Sequence, residues 1–305
     1  MTNEETDFSN SGPAPEITIL LPAYNEEEAI VPVMKQVRDV MDKLGRPYEI
    51  LVVDDCSTDR TAELAEADGA RVVRHTVNSG SGASRRTGVR AAKAEIIIML
   101  DADGTYEPAT IPEMLQYFPQ YDQVNGARTS EQGTHKFFRV PAKWFIRKFA
   151  IYLSGTHIPD LNTGLKAFKR SVMLRYLWLM PDGFSCVTTM TLAFLTNGHP
   201  VKYVSTPYYT RIGVSKFHPV KDTAKYLTTV LRMCAYFRPL RVFGPVAALL
   251  FAFGCVMMVL SLMEKGHSPY SAPGIMALCT SLVVAAIGVI LDIIIAQRVQ
   301  SFDRE

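Results

Sequence analysis

The sequence predicts an α/β domain with a mostly parallel sheet, followed by two helices long enough to cross a membrane. From residue 16 onward, short β-branched segments alternate with helical segments, a pattern typical of parallel sheets. Two uncharged apolar runs, 242–263 and 272–291, predict the membrane helices. The chain has 305 residues, 32 basic and 30 acidic side chains and 48% hydrophobic residues, so the composition excludes a disordered chain and gives no sign of nucleic-acid binding.

The individual elements follow from hydrophobic pattern and turn residues. The predicted strands are 17–21, 49–53, 71–74 and 96–100, and the predicted helices are 26–44, 58–67 and 84–93. Gly69 closes the second helix. Because strands and helices alternate, we expect right-handed crossovers between parallel strands.

Polar clusters follow each of the four predicted strands. They are residues 22–26, Asp54 with Asp55, the loop 78–82, and Asp101 with Asp103. Each cluster on its own has a composition that is common in turns. Ligands of parallel sheets bind beyond the carboxyl ends of the strands, so four clusters there predict a functional site.

Asp101 and Asp103 are two residues apart at the end of a strand. In extended geometry both carboxylates project to one side. Oxygen ligands of this kind suit Mg²⁺ or Mn²⁺, which binds through one or two carboxylates and substrate phosphates.

The loop 78–82 is rich in glycine but lacks the motifs of ATP-binding and dinucleotide-binding loops. It precedes a helix that carries Arg85 and Arg86, so backbone N–H groups and guanidinium groups are available to an anion. The alternative interpretation is a flexible loop before a solvated basic face.

The two apolar runs predict a membrane hairpin rather than two buried helices, because neither run has a polar face. Arg238, Arg241 and Arg298 flank the hairpin, which predicts a multi-pass plasma-membrane protein with both termini and everything before residue 240 in the cytoplasm. The stretches 136–153 and 219–237 are basic and amphipathic, as expected at a membrane surface. Core-facing helices are the alternative for both.

Five cysteines without CxxC spacing indicate neither a disulfide framework nor a zinc site.

Five motifs occur in order along the chain: PAYNE at 22–26, VDDCSTD at 53–59, DADG at 101–104, NTGLKAF at 162–168 and RIGVSK at 211–216. This set resembles the family 2 inverting glycosyltransferases of the GT-A fold. The branch it resembles moves a sugar from a nucleotide donor onto a polyprenyl phosphate and includes dolichol-phosphate mannose synthase. The resemblance covers residues 16–240, and the hairpin matches members with their own membrane anchor.

The resemblance implies roles for individual residues. The base and ribose of a nucleotide sugar would be held by Pro22, Ala23, Tyr24, Glu26 and Asp55, with Asp54 nearby. Asp101 and Asp103 would bind Mg²⁺ or Mn²⁺ on the donor diphosphate. The chain departs from the family at Ser81, where Lys is frequent, and at Thr105, where Gln is frequent.

A lipid phosphate is a reasonable acceptor on physical grounds. A phosphate monoester is largely dianionic at neutral pH, so it needs no general base, but it must approach an anionic diphosphate. The site therefore needs fixed cations. We expect Arg211 and Lys216 at the diphosphate and Arg128 and Arg139 at the acceptor phosphate.

Asp160 lies where related enzymes place a carboxylate that faces the acceptor, as a base or as a positioning group. If the acceptor were a sugar hydroxyl, Asp160 would serve as the base, although the chain lacks a QxxRW motif and has only two predicted spans. A third hypothesis is a non-catalytic nucleotide-binding scaffold at the membrane.

The predicted organisation is a tail over residues 1–15, a GT-A domain over 16–218, a juxtamembrane helix over 219–240, the hairpin over 241–298 and a cytoplasmic tail over 299–305. Gly244, Gly254 and Gly288 allow close helix contacts, including those of a homo-oligomer. Asp292, near the end of the second run, is expected to be structural or to contact another subunit.

Overall fold

The structure is a computed structural model that describes residues 14–129, 148, 151–152, 155–183, 186–210, 239–264 and 269–302. The strands are β1 (Ile17–Ala23), β2 (Tyr48–Asp54), β3 (Arg71–Arg74), β4 (Ile96–Met99), β5 (Gln123–Arg128), β6 (Lys166–Lys169) and β7 (Val201–Thr206). The helices are α1 (Ile30–Leu44), α2 (Thr61–Ala67), α3 (Ser81–Ala91), α4 (Ile111–Leu115), α5 (Arg170–Tyr176), α6 (Cys186–Thr196), α7 (Pro239–Met263) and α8 (Ser271–Phe302).

The seven strands form one mixed sheet in the order β3-β2-β1-β4-β6-β5-β7. β1 is parallel to β2 and β4, and β2 is parallel to β3, as the alternating pattern predicts. β6 is antiparallel to both β4 and β5. The register pairs Ala23 with Asp54 and Leu20 with Met99, so the ends of β1, β2 and β4 meet at one edge. The predicted fold class is confirmed.

The core lies between β1, β2 and the apolar face of α1. The buried residues of α1 recur at helical spacing, and the strand residues on the facing side alternate with period two. They are Ile30, Val33, Met34, Val37 and Met41 on α1, and Ile17, Ile19, Leu21, Ile50 and Val52 on the strands.

Several predicted boundaries were wrong at the site edge of the sheet. α1 begins at Ile30 rather than at 26, because residues 27–29 form a turn in which the amides of Ala29 and Ile30 donate to the Glu26 carbonyl. α2 begins three residues later than predicted, and α3 begins three residues earlier. β4 ends at Met99, so Asp101 lies beyond the strand and Asp103 lies in a turn, and the extended geometry predicted for the pair was wrong.

Glu49 on β2 accepts hydrogen bonds from three residues. Its carboxylate accepts from Thr18 Oγ1 at 2.7 Å, from the Lys93 amide at 2.8 Å and from Arg71 at 2.8 Å. Burial by itself raises the pKa of Glu49, but these donors lower it more, and the net pKa lies below the usual value. The ionised form is therefore favoured in the folded chain.

We expect Glu49→Gln to lower the free energy of unfolding by about 1–3 kcal/mol at pH 7, because three donors lose a charged acceptor. A lowered pKa stabilises the fold above the ordinary glutamate pKa, and this contribution is lost as pH falls through the folded-state pKa. The difference between the two proteins should therefore shrink in acid, as measured by thermal unfolding in detergent. Glu63, whose side chain is 69% exposed, is the control: Glu63→Gln should change little. An equal effect of both substitutions would contradict the prediction.

The chain divides into two compact units. The first contains β1 to β6, α1 to α5 and most of β7, and the second contains α6, α7 and α8. α6 lies within the predicted domain 16–218 but groups with the apolar helices in the second unit.

α7 and α8 have the length and composition of membrane spans. Pro239–Met263 and Ser271–Ile295 have mean hydropathies of 2.5 and 2.6, and only 11% of each apolar window is buried. Leu249 is 72% exposed, so these helices are not the core of a soluble fold. Most of 136–153 and 219–240 lies outside the described residues, as do Arg238 and the chain ends 1–13 and 303–305.

Glycines bring α7 and α8 together. A Cβ at Gly254 would lie 2.8 Å from Leu278 Cγ, and a Cβ at Gly288 would lie 3.1 Å from Phe243 Cβ. Gly244, by contrast, has nothing within 4 Å of the corresponding position. Two of the three predicted glycines therefore allow close packing between the two helices of the hairpin. At the start of α7, Arg241 Nη1 donates to the carbonyl of Tyr152 at 2.7 Å.

Candidate active site

The loops after β1 and β2 are joined by side-chain hydrogen bonds. Ser57 Oγ accepts from the Asn25 amide at 2.9 Å, and Asn25 Oδ1 accepts from the Thr58 amide at 2.8 Å. Asn25 and Cys56 have positive φ values of 51° and 63°, which these bonds maintain. The PAYNE and VDDCSTD motifs thus build one continuous rim, with Pro22, Tyr24 and Glu26 half-buried along it.

Asp55 organises the loop that follows β3. Its Oδ1 accepts from His75 Nδ1 at 2.7 Å and from the Ser79 amide at 2.9 Å, and its Oδ2 accepts from the Gly80 amide at 2.7 Å. The amide of Asp55 donates to the Ala23 carbonyl at 2.9 Å. The glycine-rich loop does face an anion, as one interpretation predicted, but that anion is the Asp55 carboxylate.

Asp54 lies at the end of β2 and is 4% exposed. Its Oδ2 accepts from the Ser57 amide at 3.1 Å, whereas its Oδ1 is buried and has no hydrogen-bond partner among the described residues. Such an oxygen requires a donor from water or from a ligand.

Asp101 is held from two directions. The buried Arg85 guanidinium forms an ion pair with Oδ1 and also donates to the Ser81 carbonyl at 3.0 Å. On the other side Gly164 packs so closely that a Cβ would lie 2.8 Å from Asp101 Cγ. The Gly164 amide donates to Tyr106 Oη at 2.6 Å. The glycine of the NTGLKAF motif therefore leaves room for the Asp101 carboxylate.

Asp103 closes a turn with Thr105. Its Oδ1 accepts from the Thr105 amide at 3.1 Å and from Thr105 Oγ1 at 2.6 Å. Thr105 occupies the position where Gln is frequent in the family, and here it fixes the Asp103 side chain.

Two tyrosines and Arg128 stand beside these carboxylates. The ring centroids of Tyr106 and Tyr208 are 5.3 Å apart, and the Arg128 guanidinium lies 5.2 Å from the Tyr208 ring centroid. Burial, followed by the charge of Asp101, raises the pKa of Tyr106. Burial also raises the pKa of Tyr208. Both phenols therefore stay neutral at physiological pH and can donate hydrogen bonds.

The carboxylates of Asp101 and Asp103 fit a divalent cation. Both supply hard oxygen ligands, and the Asp101 side chain is 31% exposed, so it is accessible to a ligand. Among the described residues no group of three His, Cys, Asp or Glu side chains has the arrangement of a metal site. A cation here would therefore complete its coordination with substrate oxygens and water.

The remaining predicted residues are only partly described. Asp160 Oδ1 accepts from the Asn162 amide at 3.1 Å, and Asn162 Oδ1 accepts from Thr188 Oγ1 at 3.3 Å. Asp160 therefore orders the turn before the NTGLKAF motif. Arg139, Arg211 and Lys216 lie outside the described residues.

Four contributors to the site had no predicted role: His75, Tyr106, Tyr208 and Gly164. Gly164 belongs to a motif quoted for the resemblance, and a glycine beside a strand can mark a close backbone approach. The roles of His75, Tyr106 and Tyr208 depend on contacts across the fold, and no local pattern marks any of the three.

The chain is similar to a known family and to characterised proteins. Residues 18–177 match the family described as "Glycosyl transferase family 2". The chain is 35% identical over 246 residues to the glycosyltransferase AglJ of Haloferax volcanii, covering 77% of each chain. It is 30% identical over 283 residues to the undecaprenyl-phosphate 4-deoxy-4-formamido-L-arabinose transferase of Edwardsiella ictaluri, covering 88% of this chain and 83% of the relative.

Solved structures share the fold. A glucosyl-3-phosphoglycerate synthase from Mycobacterium tuberculosis, in complex with Mn²⁺, UDP and phosphoglyceric acid, is similar with a TM-score of 0.57 and 21% identity. The match covers 72% of this chain and 78% of that structure. This likeness confirms the predicted GT-A fold.

Proposed function

The chain belongs to glycosyl transferase family 2, and we propose that it joins one sugar from a nucleotide-sugar donor to a polyprenyl phosphate at the cytoplasmic face of a membrane. The observation that carries this proposal is the meeting of the predicted clusters at one sheet edge, in a chain with two helices of membrane-spanning length. The name of the Edwardsiella relative, a transferase of undecaprenyl phosphate, supports a polyprenyl phosphate acceptor.

The donor nucleotide occupies the rim formed by the loops after β1 and β2. Pro22, Ala23, Tyr24 and Glu26 contact the base and ribose together with Asp54 and Asp55. The 2.9 Å bond between the Asp55 amide and the Ala23 carbonyl supports this placement, because it makes the two motifs neighbours. Arg211 and Lys216 bind the diphosphate in this proposal.

Asp101 and Asp103 would hold Mg²⁺ or Mn²⁺, which would supply positive charge to the leaving diphosphate. The Mn²⁺ and UDP in the Mycobacterium structure support a divalent cation. Arg85 orients the Asp101 carboxylate through the ion pair between them. Tyr106 and Tyr208 provide neutral hydroxyl groups beside the carboxylates.

The acceptor phosphate is the nucleophile. One of its oxygens forms a bond to the anomeric carbon while the bond from that carbon to the donor diphosphate breaks, and direct displacement inverts the configuration. Arg128 and Arg139 bind the acceptor phosphate and reduce its repulsion from the diphosphate. The dianionic phosphate needs no base, so Asp160 has a positioning role. It accepts a hydrogen bond from the Asn162 amide and so orders the turn before the NTGLKAF motif.

The hairpin holds the enzyme at the membrane, with both termini and the catalytic domain in the cytoplasm. Basic residues at the flanks, Arg238, Arg241 and Arg298, support this orientation.

The proposal is tested by incubating the detergent-purified chain with polyprenyl phosphate, a panel of radiolabelled nucleotide sugars, and Mg²⁺, Mn²⁺ or EDTA. We expect one donor to label the organic-extractable lipid only when metal is present. Label in an aqueous polymer would instead favour a sugar hydroxyl acceptor. Absence of both lipid and polymer labelling would overturn the enzymatic proposal.

A further inference from the structure

Tyr208 is fixed beside the turn that carries Asp103. Its backbone forms an antiparallel bridge with Tyr106, and the amide of the following residue, Tyr209, donates to the Thr105 carbonyl at 2.9 Å. The Tyr208 and Tyr106 rings pack edge to face, with an angle of 70° between their planes. The position of the Tyr208 ring is therefore set by the same turn that orients the Asp103 carboxylate.

The sheet brings Arg128 to the same ring. Arg128 is the last residue of β5, which lies next to β7, and the amide of Thr129 donates to the Thr206 carbonyl at 3.2 Å. The Arg128 guanidinium lies over the Tyr208 ring, 5.2 Å from its centroid, and both side chains are half-buried. Burial raises the pKa of Tyr208, and the positive charge of Arg128 opposes that rise, as expected for neighbouring groups.

The Tyr208 ring restricts the Arg128 side chain through a contact that uses none of its N–H donors. The negative face of an aromatic ring attracts a guanidinium group, whose N–H groups point outward in its own plane. An arginine that moves freely in solvent loses rotamer entropy when it binds a ligand. A guanidinium that is already held on a ring loses less entropy, so its anion binds more tightly.

We propose that Tyr208 is a positioning residue of the acceptor site, whose ring holds Arg128 where that arginine binds the acceptor phosphate. The inference rests on the proposed function, which assigns Arg128 to the acceptor. Because Tyr208 contacts Arg128 and is joined to the turn of Asp103, it fixes the acceptor arginine relative to a carboxylate that we assign to the divalent cation.

The test measures the binding of radiolabelled polyprenyl phosphate to the detergent-purified full chain, which requires no turnover. We expect Tyr208→Leu to raise the Kd for this lipid about 3- to 30-fold, the usual strength of a cation–π contact partly shielded from water. Tyr208→Phe keeps the ring face, so its Kd should stay within about twofold of the unmodified value. Equal weakening by both substitutions, or an unchanged Kd for Tyr208→Leu, would overturn the inference.

A double substitution distinguishes positioning of Arg128 from direct contact between Tyr208 and the lipid. If Tyr208 acts through Arg128, Tyr208→Leu should change the Kd little in a chain that already carries Arg128→Ala. Losses that multiply in the double variant would overturn the inference, because Tyr208 would then contribute independently of Arg128.

Tyr117 provides a matched control for the loss of an aromatic contact. Lys202 Nζ lies 5.1 Å from the Tyr117 ring centroid, at the opposite end of β7 from Tyr208. Tyr117→Leu therefore removes a similar cation–π contact and should leave the Kd for polyprenyl phosphate unchanged. A rise in Kd equal to that of Tyr208→Leu would indicate a general loss of stability and would overturn the inference.

The transfer assay separates this inference from the proposed function. Unchanged lipid binding by Tyr208→Leu, together with sugar transfer by the unmodified chain, would overturn the inference while the proposed reaction stands. Weaker lipid binding that depends on Arg128, without lipid labelling from any donor, would support the inference and overturn the proposed reaction.

Discussion

Asp103→Ala is expected to lower the rate of metal-dependent sugar transfer by about 10²- to 10³-fold, the usual cost of removing one group that stabilises a developing charge. Asp103 is one of two carboxylates that we assign to the divalent cation, and its turn with Thr105 fixes its position. The rate is measured as labelled lipid formed at saturating Mn²⁺, and the fold is checked by thermal unfolding.

Two further variants separate charge from structure. Asp103→Asn keeps an oxygen that accepts from the Thr105 amide and Oγ1 but removes the charge, so it should be nearly as inactive as alanine. Asp39→Ala removes an exposed carboxylate on α1 and should retain full activity. Full metal-dependent activity of Asp103→Asn would show that the carboxylate does not serve the cation.

Gly164→Ala is expected to reduce transfer about a hundredfold, because misplacement of a catalytic group by about 1 Å has an effect of that size. A Cβ at this position would lie 2.8 Å from Asp101 Cγ and 3.0 Å from Tyr106 Cε2. The Asp101 carboxylate cannot move away freely, because its Oδ1 forms an ion pair with Arg85. We expect a higher Mn²⁺ concentration for half-maximal activity as well as a lower maximal rate.

Two glycine variants serve as controls. Gly183→Ala should be neutral, because nothing lies within 4 Å of its Cβ position. Gly88→Ala would place a Cβ 2.7 Å from Leu20 Cδ2 in the core, so it should destabilise the fold by about 1–3 kcal/mol while leaving the Mn²⁺ dependence unchanged. If Gly164→Ala lost only stability and kept the Mn²⁺ dependence of the unmodified chain, its role at Asp101 would be refuted.

The alternation of strands and helices was predictable because it reflects local periodicity. The buried residues of α1 recur at helical spacing, and β1 is a short run of consecutive buried residues, and both patterns are visible in a local window of the sequence. The four clusters at the sheet edge were predictable for a related reason, since parallel strands place their carboxyl ends together.

The partners within the site were not predictable from local pattern. The sequence marks Arg85 as a cation near a glycine-rich loop, but its ion pair with Asp101 spans 16 residues and depends on how α3 packs against β1 and β2. Likewise the amides of Ser79 and Gly80 were expected to face an anion, and only the tertiary structure identifies Asp55 as that anion. The antiparallel placement of β6 has the same origin, because it is fixed by pairing with two distant strands.

The start of α1 was mispredicted because a turn at residues 27–29 precedes the helix. The amides of Glu26 and Glu27 bond to Thr61 Oγ1 and Asp59 Oδ2, so contacts with a distant part of the chain fix this segment. Helical periodicity carries no information about such bonds.

The acceptor is tested most directly by the chemical form of phosphorus in the labelled lipid. If the sugar is joined to the lipid phosphate, the product is a phosphodiester that resists alkaline phosphatase and releases its sugar in mild acid. We expect this result with the detergent-purified chain, Mn²⁺ and the donor that labels the lipid. A labelled lipid whose phosphate is still removed by the phosphatase would contradict transfer to the phosphate, because the sugar would then be attached elsewhere.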